Sequence, residues 1–113
     1  MIRTSEQMKE QASELFKAGK IEEAIQKFDE CLALDPLNLT YNSTILLNKA
    51  IALNKKSRNE EALKCLNLCL KMNPEYAKAF VKRGEVHQAL GDAEEAVRDF
   101  GDAASIDEHG FGV

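Results

Sequence analysis

The stretch GKIEEAI at residues 19–25 decides the fold, because the same pattern recurs twice further along the chain. It recurs as SRNEEAL at residues 57–63 and as GDAEEAV at residues 91–97. Each copy combines a residue suited to a helix end, a polar residue, two acidic residues, an Ala and an aliphatic residue. The second and third copies are 34 residues apart and the first and second are 38 apart, which predicts three repeats of one structural unit.

The apolar residues that follow each copy have the spacing of one helix face. They are Ala24, Ile25, Phe28, Cys31 and Leu32, then Ala62, Leu63, Leu66, Cys69 and Leu70, then Ala96, Val97, Phe100, Ala103 and Ala104. Gly19 and Gly91 suit helix ends, and Pro36 and Pro74 cannot continue a helix. The sequence therefore predicts helices at 3–18, 21–34, 41–55, 59–72, 75–90 and 93–106, in three antiparallel pairs. The four extra residues of the first unit are expected around 37–41, in a long link between the first two pairs.

Composition excludes several classes of protein. The chain has 113 residues, a net charge of −4 and an apolar share of 44%, which predicts one small folded domain and argues against general nucleic-acid binding. No apolar run suits a membrane span or a secretory signal, so we expect a cytoplasmic protein, with the nucleus as a further possibility. Three cysteines without an export signal are expected to be free thiols.

The repeat period and its small residues resemble the tetratricopeptide repeat family. The small positions of that family are matched by Ala12, Ala24, Ala50, Ala62, Gly84 and Ala96. Its Trp is replaced by Met8, Leu46 and Phe80, and Glu108 stands where a third closing Pro is expected. The resemblance implies an all-α fold in which three antiparallel helix–turn–helix repeats stack as a right-handed superhelical array. It also implies one domain over 1–113, with repeats at approximately 5–38, 43–76 and 77–110.

The first helices of the pairs are net positive in sum and the second helices net negative. In the family the first helices line a concave groove, so we expect a basic groove. Some members of the family hold the C-terminal carboxylate of heat-shock chaperones through five clamp positions. Those positions are matched here by Lys9, Ser13, Asn48, Lys78 and Lys82, with Ser13 in place of an Asn. The resemblance thus implies an adaptor that binds the acidic C-terminal peptide of cytosolic chaperones of the seventy- or ninety-kilodalton class.

Two stretches narrow the resemblance to co-chaperones that combine such repeats with a J domain. They are DPLNLTYN at residues 35–42, before Asn48, and EAVRDF at residues 95–100. No His-Pro-Asp tripeptide, which a J domain carries, occurs in the chain. The sequence is therefore interpreted as a fragment of a J-domain protein, with any J domain or further repeat outside it.

The alternative function is an assembly scaffold that holds another protein, or a second copy of itself, through apolar surface. Its candidate surfaces are the groove and the uncapped end after the helix at 93–106. Any single Lys on a helix is more often an ordinary solvated charge than a ligand contact. Sedimentation distinguishes the two functions, because the alternative predicts a salt-insensitive dimer.

No catalytic or metal site is expected. The paired Glu residues recur in all three repeats, which marks them as helix-start residues rather than an acid–base pair. The motifs GxxxxGK[ST], GxSxG and HExxH do not occur, so neither an enzyme nor a cofactor is predicted. Cys65 and Cys69 with His87 give too few ligands for zinc. Cys31 and Cys69 are expected to fill small slots between helices.

Overall fold

The computed structural model describes residues 5–106, which form six helices and no strand. The helices are α1 Ser5–Lys17, α2 Ile21–Leu32, α3 Leu39–Lys55, α4 Asn59–Met72, α5 Ala77–Ala89 and α6 Ala93–Ile106. Consecutive helices pack as antiparallel pairs, so the predicted all-α repeat array is confirmed. The predicted start of α1 at residue 3, Glu108, the end of the third repeat at 110 and the surface beyond 106 lie outside the described residues.

The turn inside each pair has one geometry in all three repeats. Gly19 and Gly91 adopt left-handed φ values of +83° and +84°, and Ser57 adopts the same conformation at +61°. In each turn two backbone N–H groups donate back to the last helical carbonyls, as from Lys20 to Leu15 at 2.9 Å. This arrangement satisfies carbonyls that a helix end leaves unpaired. Turn chemistry therefore fixes where the second helix of each pair begins.

The four extra residues of the first unit lengthen α3, which corrects their predicted place around 37–41, although the predicted long link between the first two pairs is present. Both α3 and α5 begin three residues after a proline, Pro36 and Pro74 respectively, but α3 has 17 residues where α5 has 13. The difference is close to one helical turn. Because α2 ends at Leu32 and not at 34, the connection into α3 spans residues 33–38, while the later connection spans residues 73–76. The predicted spans of α4 and α6 match, and α5 is shorter than predicted at both ends.

The extra turn of α3 fastens the first repeat to the second. Asn38 caps α3 by accepting a hydrogen bond from the Tyr41 N–H at 3.0 Å. The Tyr41 hydroxyl donates to the Ser5 carbonyl at 2.9 Å, and the Asn42 amide donates to the Asp35 carbonyl at 2.9 Å. Burial raises the pKa of the Tyr41 hydroxyl well above its usual value. Four added residues therefore stabilise the start of α1 and the loop before α3.

The core runs between the paired helices and through α3, which packs against both α2 and α4. The expected small positions are buried where helices approach closely, and Ala12, Ala24, Ala50 and Ala62 have no exposed surface. Cys31 and Cys69 are fully buried as well, which confirms their predicted packing role.

Gly84 lets α5 and α6 approach each other closely. A Cβ at Gly84 would lie 2.6 Å from Cε1 of Phe100, whereas a Cβ at Gly101 meets no atom within 4 Å. Both glycines are helical, so they share the backbone cost of glycine and differ in the space around them.

We therefore expect Gly84→Ala and Gly101→Ala to act in opposite directions. Gly84→Ala should lower the free energy of unfolding by about 1–2 kcal/mol, because the Phe100 ring must move. Gly101→Ala should raise it by about 0.5–1 kcal/mol through helix propensity. Thermal and urea unfolding measure both values. An equal or higher melting temperature for Gly84→Ala would contradict the close approach.

Candidate functional site

Two of the five predicted clamp residues, Ser13 and Asn48, line one pocket. The pocket has a volume of about 160 Å³ and lies between α1, α2 and α3. Its lining residues are Ser13, Phe16, Lys17, Phe28, Asn48 and Ile51. Residues 30 or more positions apart in the sequence thus meet at one opening, with apolar walls and a polar rim.

Helical spacing explains why these side chains converge. Ser13, Phe16 and Lys17 are three and four residues apart on α1, and Asn48 and Ile51 are three apart on α3, so each set shares a helix face. Ser13 and Asn48 are half-buried. Within residues 5–106, neither side chain forms a hydrogen bond, so the hydroxyl and the amide are available to a ligand. A pocket with these two donors suits a small anionic group such as a carboxylate.

Lys9 lies on α1 one turn before Ser13 but is not among the residues that line the pocket. Its ammonium forms an ion pair with Glu6 at 3.2 Å, and the Glu6 side chain is 64% exposed. An exposed pair three residues apart on a helix contributes little to stability. Lys9 can therefore exchange this partner for another carboxylate at small cost.

Lys78 and Lys82 lie one turn apart on the same face of α5. Lys82 pairs with Glu85 of the same helix at 2.8 Å, whereas Lys78 is exposed and forms no ion pair within the described part of the chain. Lys78 and Lys82 are not among the residues that line the pocket of Ser13 and Asn48, so their participation in one site with α1 and α3 remains a prediction.

Two other basic residues of the first helices, Lys49 and Arg83, form ion pairs with acidic residues of the second helices. Lys49 pairs with Asp29 of α2 at 2.6 Å. Arg83 forms a two-pronged pair with Asp99 of α6 at 2.8 and 2.9 Å, and Asp99 is only 4% exposed. The prediction of a basic groove counted Lys49 and Arg83 among the positive charges of the first helices. Their ion pairs hold helices together, so the groove is less positive than the count by helix indicates.

Arg83 also contacts α4 and its own helix. Its guanidinium donates to the Asn67 side chain at 3.0 Å and lies 5.4 Å from the centre of the Phe80 ring. One side chain thereby joins α4, α5 and α6, in the helix that carries Lys78 and Lys82.

His87 and the three cysteines are structural residues. His87 lies with Nδ1 3.2 Å from Asp92, across the turn between α5 and α6. Among residues 5–106, no group of three or more His, Cys, Asp or Glu side chains is arranged to hold a metal ion. Burial raises the pKa of Cys65, and it raises the pKa of Cys69 to about 11. Thiols of this kind are poor nucleophiles at neutral pH.

The sequence alone did not identify Lys17, Phe16, Phe28 and Ile51 as site residues. Phe16, Phe28 and Ile51 follow the apolar periodicity of the core, so nothing in the pattern distinguishes a pocket wall from a packed residue. For Lys17 a signal existed, because it stands four residues after Ser13 and so shares its helix face.

Comparison with known proteins identifies a matching family model and several relatives. The family model described as tetratricopeptide repeat matches residues 9–68 and 47–109. A DnaJ homolog subfamily C member 7 homolog from Schizosaccharomyces pombe is 35% identical over 106 residues, which are 94% of this chain and 22% of that protein. Human mitochondrial import receptor subunit TOM70 is 32% identical over 92 residues, 80% of this chain and 15% of that protein. The chain therefore spans less than a quarter of either relative.

Solved structures give the same fold. The second TPR of Spaghetti (RPAP3), bound to the HSP90 peptide SRMEEVD, has a TM-score of 0.82 and 30% identity, with 92% of this chain and 93% of that chain covered. The first TPR of Spaghetti with the same peptide has a TM-score of 0.84 and 30% identity, over 95% and 82% of the two chains. Within residues 5–106, no helix combines the length and apolar character needed to cross a membrane.

The raised pKa values predict slow thiol chemistry in the folded chain. At pH 8, we expect iodoacetamide to label Cys69 at least 100-fold more slowly than in urea, because burial excludes the reagent and keeps the thiol protonated. Mass spectrometry of timed, quenched samples measures each rate. Rapid labelling of Cys69 under native conditions would contradict its packing role.

Proposed function

The chain belongs to the tetratricopeptide repeat family, and we propose that it is an adaptor that binds the acidic C-terminal peptide of a cytosolic heat-shock chaperone. Members of the family are interaction modules rather than enzymes, and the relatives include a DnaJ homolog and an RPAP3 repeat domain bound to an HSP90 peptide. We propose further that this chain is part of a longer protein, a J-domain co-chaperone of the cytosol.

One observation carries the proposal: Ser13 and Asn48, from the first helices of two different repeats, line one pocket with their donors unused. A chain-terminal carboxylate fits that arrangement, because its oxygens can accept a hydrogen bond from the Asn48 amide directly and one from the Ser13 hydroxyl indirectly. The Ser13 side chain is short, so its contact with the carboxylate runs through a bridging water. The apolar walls favour an aliphatic side chain near the end of the peptide.

The remaining clamp residues act on the negative charges of the peptide. Lys78 and Lys82 would hold the acidic side chains, and Lys9 would add a third cation at the carboxylate end. A carboxylate that loses its bound water needs other hydrogen-bond donors, and the lysine ammonium groups would supply them. Charge-assisted hydrogen bonds supply about 1.5–3 kcal/mol each before the cost of ordering the peptide. We therefore expect a dissociation constant on the order of 1 μM.

Internal ion pairs of Lys9 and Lys82 do not block this role. Glu6 is largely exposed and Glu85 is about half exposed, and each is three residues from its lysine on one helix. Such pairs contribute about 0–1 kcal/mol, so a peptide carboxylate that is partly desolvated in the groove can displace them.

A scaffold that associates through apolar surface is the second candidate function. The observation that favours it is Val97 on α6, which is 71% exposed. A dimer that persists in high salt would support this function.

We expect the chain to distinguish a free C-terminus from an amidated one. The fluorescently labelled peptide SRMEEVD, which the related RPAP3 repeat binds, should bind at least tenfold more tightly as the free acid, since only the free acid brings the terminal charge. Fluorescence anisotropy measures both affinities. Equal affinity for the two peptides would rule out the carboxylate clamp.

Removing Lys78 should weaken peptide binding without unfolding the chain. Lys78 is exposed and has no ion pair within residues 5–106, so Lys78→Ala should leave the melting temperature unchanged and cost about tenfold in affinity. Lys71→Ala is the matched control, because Lys71 is an exposed lysine on α4. The same loss in both variants would show that only overall charge matters.

A further inference from the structure

We infer that Lys17 is a sixth peptide-binding residue, which supplies the contact to the terminal carboxylate that the short Ser13 side chain cannot make directly. The inference rests on the proposed function and identifies a residue that determines how this chain holds its ligand. It assigns to Lys17 a direct contact between its ammonium and the last carboxylate of the peptide.

The pocket itself gives the first reason. Lys17 lines it together with Ser13 and Asn48, whereas Lys9, the cation that the family resemblance implies for α1, does not. Lys17 is therefore the basic residue of α1 that lies at the pocket with the Ser13 hydroxyl and the Asn48 amide.

The direction of side chains on a helix gives the second reason. Each Cα–Cβ bond tilts toward the helix N-terminus, so a side chain covers the turn that precedes it. Lys17 stands one turn after Ser13 and leans back over it. Lys9 stands one turn before Ser13 and leans away, toward Glu6, with which it pairs.

The third reason is that Lys9 and Lys17 differ in their ion pairs. Lys9 already holds a carboxylate at 3.2 Å, while Lys17 is exposed and forms no ion pair within the described residues. The ammonium of Lys17 therefore has no internal partner to give up when a peptide arrives.

The walls of the pocket strengthen such a contact. Phe16, Phe28 and Ile51 surround the opening with apolar surface. A carboxylate placed there loses part of its water, and a charge pair beside apolar walls is screened less than one in open solvent. A long, unpaired lysine can thus compensate for the shorter hydroxyl side chain at position 13.

The test is a double-mutant cycle on the 113-residue chain with Lys17→Met and Ser13→Asn. Lys17→Met removes the charge and keeps the aliphatic stem, and Ser13→Asn supplies an amide that reaches the carboxylate directly. The probes are labelled SRMEEVD with a free and with an amidated C-terminus, and Lys71→Met is the control.

We expect Lys17→Met to weaken binding of the free acid about five- to tenfold, to change binding of the amide less than twofold, and to leave the melting temperature unchanged. In the Ser13→Asn background, the same substitution should cost less than about twofold. Lys71→Met should change neither affinity.

Other results would overturn the inference. Unchanged affinity for the free acid in Lys17→Met, or an equal loss for the acid and the amide, would exclude a contact with the terminal carboxylate. These results would leave the proposed function standing, because the unaltered chain would still prefer the free acid. If the unaltered chain bound both peptides equally, the proposed function would fail and the inference with it.

Discussion

The structure depends on how closely the two helices of each pair approach. Ala12 and Ala24, and then Ala50 and Ala62, are fully buried, and the third pair uses Gly84 beneath Phe100. Larger residues at these positions would push the helices apart and open the groove between successive repeats. Tight pairs let α3 pack between its neighbours, which in turn brings Asn48 to the pocket beside α1. The site is therefore a consequence of the packing of small residues.

Ion pairs also connect the helices. Arg83 joins α5 to the buried Asp99 of α6, and Lys49 of α3 pairs with the more exposed Asp29 of α2. The buried carboxylate of Asp99 needs its arginine, since an unpaired charge in that position would be costly. The cations that remain for a ligand are those with weak or no internal partners, among them Lys78 and Lys17.

Much of the fold could be predicted from sequence, because the threefold pattern, its glycines and its prolines are local signals. The sequence predicts a link where α3 has its extra turn, because length alone cannot tell an added turn from an added link. The cap that Asn38 provides depends on its contact with the Tyr41 N–H, which the sequence pattern does not show. The charge of the groove was overestimated for another reason. Counting charge by helix ignores which face each side chain occupies, and Lys49 and Arg83 face the second helices.

The central claim is that the pocket between α1 and α3 receives a chain-terminal carboxylate. Two-dimensional ¹H–¹⁵N NMR of the chain, titrated with SRMEEVD, tests it most directly. The claim predicts large shifts of the Asn48 side-chain amide and of the backbone amides around Ser13, and much smaller ones with the amidated peptide. Shifts confined to α2, α4 and α6, with the Asn48 amide unmoved, would contradict it.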